Sequence, residues 1–434
     1  MNTDNSFRAR AAGMLLAALC AAAAPLAAQA ADSTRALALV GVTLIDGTGA
    51  APRADQTVIV QGDRITAICP RRDCPVPPGT EVLELTGRYL IPGLIDTHVH
   101  VATDPSVEDT RERSERRLRK ALYGGVTAVR DMAGDVRSLA YLQREARLGE
   151  IESPDVYYVA LFAGPAFFDD PRTHDATRGL VAGEVPWMRG ISDTTDLRQA
   201  VAEARGTGAT ALKLYAALGG ELAARITAEA HRQGLRVWAH AALRPARPLE
   251  VVEAGVDVVS HASLVAYALD SATRAKALKA APGERLRLES PGLDSVLAAM
   301  RQHHTVLEPT LLIYDDNPPL QRLSALVTRR AHEAGIPIIA GTDTLGTADG
   351  EDLELPNIHR ELELLVRLGG LSPAEALAGA TRTAAEILGA GSERGTIAVG
   401  KLADLVVLTG NPLRNISNTR TVELVVKRGR VYRR

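Results

Sequence analysis

Six side chains of this 434-residue sequence have the types and the spacing to hold metal ions: His98, His100, Lys213, His240, His261 and Asp343. His98 and His100 are two apart, so on a strand their rings leave the same face and can converge on one ion. His240 closes the apolar run 236–240 and His261 closes 256–261, which puts both at the ends of strand-like segments. Lys213 lies inside Ala211-Leu212-Lys213-Leu214, where a bare ammonium is costly to desolvate. Two readings of it stay open: a carbamate formed with carbon dioxide that bridges two cations, or a lysine paired with an acidic neighbour. Asp343, in Ala340-Gly341-Thr342-Asp343-Thr344, can both touch a metal and take a proton from water, the alternative being a loop-capping aspartate. A histidine-rich set with one carboxylate suits zinc first, and manganese, iron or cobalt as alternatives.

These residues need a scaffold that brings distant segments together. From Gly93 onward, short apolar runs of strand length each precede an amphipathic helical stretch, the pattern of parallel βα units. Eight runs can be counted: 94–100, 126–131, 156–160, 211–215, 236–240, 256–261, 306–310 and 336–343, with helical stretches such as 197–207, 221–234 and 320–335 between them. The reading is an α/β fold, a (β/α)8 TIM-type barrel in which catalytic groups project from the C-terminal strand ends, where the six candidates fall. Before the barrel, β-type runs separated by turns such as Asp46-Gly47 and Gly62-Asp63 indicate a small β-domain. After the barrel helices 355–369 and 372–388, the runs 403–408 and 421–431 are expected to pair with the N-terminal strands. The expected division is a signal peptide at 1–30, a β-sandwich part at 31–92, the (β/α)8 barrel at 93–390, and the rest of the β-sandwich at 391–434.

Composition closes off other classes. Lys+Arg 50 against Asp+Glu 52 gives a net charge of -2, so no basic footprint for nucleic acid or anionic membrane exists. Arg8 and Arg10 precede the apolar stretch 11–28, and Ala28-Gln29-Ala30 offers a cleavage site, which reads as a secretory signal cut near Ala30 and a secreted or periplasmic protein without a stable membrane span. A membrane anchor or a lipoprotein signal at Cys20 is the weaker reading, because Pro25 interrupts the apolar core and Leu19 is bulky. Cys69 and Cys74 flank what reads as a hairpin loop and are expected to pair in an oxidising compartment. His231 and His332 belong toward helix ends, His303 and His304 read as structural, and His359, at the start of a helix near the eighth loop, is a candidate to stand behind the ligands.

Taken together, Pro92-Gly93-Leu94-Ile95-Asp96-Thr97-His98-Val99-His100, the run Gly125-Val126-Thr127-Ala128-Val129-Arg130-Asp131, Gly341-Thr342-Asp343 and the segment from Gly395 to Leu405 resemble the amidohydrolase superfamily. The nearer resemblance is to its imidazolonepropionase-like and Xaa-Pro dipeptidase-like members. The resemblance implies two divalent metal ions, with His98, His100 and Asp343 on one, His240 and His261 on the second, and a carboxylated Lys213 bridging. It implies hydrolysis of an amide or peptide-type C–N bond by a metal-activated hydroxide, with Asp343 as catalytic proton carrier. Dipeptide-cleaving members usually carry a Tyr two residues after the fifth-strand His, where this chain has Ala242, and a Gly-Gly-His-Gly-like loop after the third strand, where this chain has the segment 163–174. Both departures weigh against Xaa-Pro cleavage, and export weighs against a histidine-degradation intermediate. His174 and Tyr215 are the candidate substrate contacts. The expected partner is a small-molecule or dipeptide substrate, an N-acyl amino acid or a cyclic amide, and a homo-oligomer is compatible with the sequence. An ester or lactone hydrolase with the same site is the alternative, and a non-catalytic secreted binding protein a remoter one.

Overall fold

A computed structural model describes residues 36–279, 286, 288–346 and 355–434. The proposed signal segment 1–30 lies outside the described residues. No helix among those described is long and apolar enough to cross a membrane.

Near the N-terminus the alternating runs form β1 (Ala36–Leu44), β2 (Arg53–Gln61), β3 (Arg64–Pro70), β4 (Glu81–Glu84) and β5 (Tyr89–Pro92). Seven longer-range parallel partners follow: β6 (Leu94–Val99), β7 (Val126–Asp131), β8 (Asp155–Ala163), then, after the short β9 (Glu184–Val185) and β10 (Met188–Gly190), β11 (Ala211–Leu214), β12 (Arg236–His240), β13 (Val258–Ser260) and β14 (Val306–Glu308). The chain ends with β15 (Leu405–Leu408), β16 (Val422–Lys427) and β17 (Arg430–Arg433). β15 lies antiparallel to β5, with Leu405 opposite Pro92, so the two ends of the described chain build one mixed eight-stranded sheet. Its apolar face, including Leu37, Leu39, Val58, Val60, Leu405 and Val407, forms a core of its own. Cys69 and Cys74 are joined by a disulfide across the short helical turn Arg71–Asp73 that follows β3.

β6, β7, β8, β11, β12, β13 and β14 pair in parallel in that order and curl into a TIM-type barrel. All six residues of β6 are buried, as expected where helices cover one face of a parallel strand and the barrel interior fills the other. The eighth run departs from the expected strand. Residues 336–343 make a single parallel bridge, Ile338 to Leu307, flanked by Leu307 N–H to Pro337 O and Ile339 N–H to Leu307 O, both 3.0 Å. On its other side the Ala340 amide donates to Gly379 O and the Ile95 amide to Ala380 O, so the helix end 379–380 occupies the place a continuous ladder would take. Closure onto β6 comes higher up, through Thr97 N–H to Ala340 O (3.2 Å) and Asp343 N–H to His98 O (2.8 Å). The stretch expected as one helix over 372–388 is two, Pro373–Gly379 and Arg382–Ile387, broken at this same contact.

Candidate active site

The ends of β6, β11, β12 and β13 and the 341–344 segment open into a cavity of about 630 Å³, and all six candidate ligands line it. The Nε2 atoms of His98 and His100 lie 2.8 and 3.1 Å from Asp343 Oδ1. The ligand atoms of these three residues all fall within 4.8 Å of one another, the one such group among the described residues. His261 and His240 continue the row, with ring centroids 5.2 Å from His98 to His261 and 4.8 Å from His261 to His240. Backbone strain concentrates here: Asp343, His261 and Thr310 take φ of 60°, 70° and 50°, conformations that non-glycine residues hold only when their surroundings over-determine them. Thr310 Oγ1 lies 2.8 Å from His261 Nδ1, which leaves the other ring nitrogen for the cavity.

Lys213 is fully buried, and its Nζ donates to Ser260 Oγ at 3.1 Å. Among the described residues no carboxylate touches it directly, and Ser260 Oγ in turn donates to Glu308 Oε2 at 2.7 Å. Burial pulls the amine down to about 8, against the pull of Glu308 and Asp343 in the other direction. Burial lowers His261 to about 3 and holds His240 well below the ordinary histidine value, so both rings are neutral and their lone pairs are available to a metal. Burial resists ionisation of Asp343, but His98 and His100 keep its carboxyl well below the usual range.

Of the two expected substrate contacts, the structure places Tyr215 in the cavity wall, its ring 4.0 Å from that of His240 and 4.6 Å from Phe167. His174 is exposed on the short helix Pro171–Asp175 and is absent from the lining; its neighbours Arg172 and Thr173 line the cavity instead. Met132, Leu161, Phe167, Met188, Leu264 and Ile313 make the remaining wall largely apolar. His359 stands away from the ligands, fully buried between Thr419 Oγ1 and Gly124 O.

Several residues at the site escaped the sequence reading. Glu308 ends β14 and is fully buried, 2.7 Å from His98 Nδ1. Arg117 ties three segments together, donating to Asp109 Oδ1 and His100 O at 2.6 Å each and to Gly346 O at 3.0 Å. Tyr314 lines the cavity with its hydroxyl 2.5 Å from Ser263 Oγ. The one local signal Glu308 offers is an acidic side chain inside the seventh run, 306–310, since its partners Thr97, His98 and Ser260 lie on other strands.

Comparison with known proteins agrees with this geometry. The imidazolonepropionase of Myxococcus xanthus is 27% identical over 420 residues, covering 88% of this chain and 90% of its own. Among solved structures, a candidate prolidase from Bifidobacterium longum is 26% identical with a TM-score of 0.69, covering 92% of this chain and 95% of the other. The A. niger ochratoxinase, 20% identical with a TM-score of 0.72 over 92% of this chain and 96% of its own, shares the fold. The profile of the amidohydrolase family matches residues 89–432, from the strand that leads into the barrel to the last strand of the mixed sheet, and the chain belongs to that family.

Proposed function

We propose that this protein hydrolyses an amide or related C–N bond of a small molecule, using divalent metal held by His98, His100 and Asp343 and, for a second ion, by His240 and His261 with Lys213 as carbamate bridge. The observation that carries the reading is the convergence of the His98, His100 and Asp343 ligand atoms within 4.8 Å at the floor of a cavity that His240, His261 and Lys213 also line. The donor set fits such ions: the imidazoles of His240 and His261 are neutral, the Asp343 carboxyl is ionised, and the lowered Lys213 amine is open to carbon dioxide. When bound, the metal supplies Lewis acidity, acidifying water and polarising a carbonyl.

The chain's own residues do the rest. Asp343 is the carboxylate placed to accept a proton from the attacking water and return it to the leaving nitrogen. Its backbone amide, donating to His98 O at 2.8 Å, holds that carboxylate against the first strand. The apolar wall of Leu161, Phe167, Met188, Leu264 and Ile313 favours substrates with an apolar group beside the scissile bond and excludes water from it. Imidazolonepropionase and prolidase relatives both act on C–N bonds, which supports amide over ester cleavage. We further read the protein as exported, with a signal cut near Ala30, and the metal as zinc.

The test is elemental analysis of protein purified without chelator and supplied with zinc and bicarbonate, followed by a screen of dipeptides, N-acyl amino acids and cyclic amides against matched esters. About two ions per chain with amide turnover is the expected result. About one ion makes Lys213 a structural or substrate-facing residue, and none removes the metal-hydrolase reading.

A further inference from the structure

Glu308 touches the proposed ligand His98 from behind and takes no part in the proposed reaction. Three groups converge on its carboxylate: Thr97 Oγ1 at 2.5 Å on Oε1, and His98 Nδ1 and Ser260 Oγ, each at 2.7 Å, on Oε2. The residue is fully buried. A carboxylate accepts and does not donate, so Nδ1 of the His98 ring carries a proton, which leaves Nε2, 2.8 Å from Asp343 Oδ1, as the nitrogen that would face a metal. The Ser260 hydroxyl has one proton and gives it to Glu308, which turns its own lone pairs toward Lys213 Nζ at 3.1 Å. One side chain on the seventh strand thereby reaches ligands on the first and the fourth.

We propose that Glu308 is a positioning residue that registers both halves of the metal site: directly by fixing the tautomer and tilt of His98, and through Ser260 by aiming Lys213. The inference rests on the metal-hydrolase reading. It also gives the carbamate an orientation. Neutral amine and carbon dioxide form one N–C bond, one proton leaves to solvent, and one hydrogen stays on Nζ. Were that N–H kept toward Ser260 Oγ, as the amine is now, the carbamate oxygens would be left free for the metals.

The experiment compares wild type with Glu308→Gln and Ser260→Ala. Zinc affinity is read by competition with a chromophoric chelator, the visible spectrum is taken of the cobalt-loaded protein, and 13C NMR is run in labelled bicarbonate. Glutamine keeps the volume but replaces one acceptor oxygen by a donor that faces Thr97 or His98. Glu308→Gln is expected to weaken zinc binding roughly 10- to 100-fold, the usual loss when the partner of a metal-bound histidine is removed, and to change the cobalt spectrum while far-ultraviolet circular dichroism stays that of wild type. Ser260→Ala is expected to leave the tighter zinc within about twofold and to lower the carbamate signal, since only the lysine arm is cut. Should Glu308→Gln fail to fold, Glu308→Asp, which keeps the charge and shortens the reach, is expected to give an intermediate zinc affinity. Affinity and cobalt spectrum unchanged in the glutamine or aspartate variant overturn the His98 role, and a carbamate signal unchanged in Ser260→Ala overturns the relay to Lys213. A wild type that binds no zinc overturns the metal reading itself and this inference with it, a result distinct from either variant outcome.

Discussion

Lys213→Met separates what the buried amine costs the fold from what it gives the site. Methionine nearly matches lysine in volume and carries no charge, so the substitution removes an ammonium from the barrel interior without opening a cavity. The Lys213 amine is lowered from 10.5 to about 8. A group whose folded value lies below its unfolded value binds protons more weakly when folded, so it destabilises the fold wherever both states are charged. Taken at 1.36 kcal/mol per pH unit, the penalty in metal-free, carbonate-free protein is about 3 kcal/mol at pH 7. It fades as pH rises from the folded toward the unfolded value, to roughly half by pH 9.5. The attraction of Glu308 is already contained in that shift. Lys213→Met is therefore expected to raise the urea midpoint of chelated protein at pH 7, with the gap to wild type narrowing at pH 9.5. Reloaded with zinc and bicarbonate, the same variant is expected to hold about one ion per chain fewer and to lose turnover. A variant less stable than wild type at pH 7 would refute the argument from buried charge; an unchanged ion count would refute the bridging role, whatever the stability.

Other outcomes follow from the same geometry. Asp343→Asn is expected to lower kcat by about 10²- to 10⁴-fold with metal still bound, measured as turnover per bound ion; near-normal turnover would remove the proton-carrier role. Asp155 is buried among Arg394, Lys427 (2.7 Å) and Arg428 (2.8 Å) where the barrel meets the mixed sheet, and despite its burial these cations hold its carboxyl well below the usual range. Its contribution is present above the ordinary carboxylate value and is lost as pH falls through the lower folded value. Asp155→Ala should cost about 3–5 kcal/mol at pH 7, read from urea midpoints, with the difference from wild type shrinking toward strongly acid pH. Gly341→Ala would place a Cβ 2.7 Å from Glu308 Oε1 and 2.8 Å from His98 Cβ, closer than real contacts allow. It should destabilise by about 1–3 kcal/mol and weaken zinc binding together, checked by denaturation and chelator competition on the same sample.

The barrel strands were legible as apolar runs of strand length, and in several of them a polar residue at or near the C-terminal end is what the site uses. His240 and His261 show the link: the residue that terminates the apolar pattern is the one that enters the cavity. The eighth run reads as a strand by the same rule, yet its irregularity comes from the helix end 379–380, about forty residues away, whose carbonyls take the Ile95 and Ala340 amides. No local pattern carries that competition. On the third-strand loop the helical turn Pro171–Asp175 puts Arg172 and Thr173 into the lining and His174 outside it, a difference of one residue in rotation that composition does not encode.

Glu308 was the harder case. Its partners stand 211, 210 and 48 residues away in the chain, at Thr97, His98 and Ser260. A glutamate before Pro309-Thr310 reads equally well as the start of a loop. A metal ligand can be suspected from its own type and place, because the ion brings the ligands together. A residue that orients a ligand has no such common target, and its partners become identifiable only when the closed barrel brings strand seven against strands one and six. Residues that bind are thus readable one at a time, whereas residues that position become readable only once the fold has supplied their neighbours. For that reason Glu308, and not a seventh ligand, is where the structure adds most to the sequence.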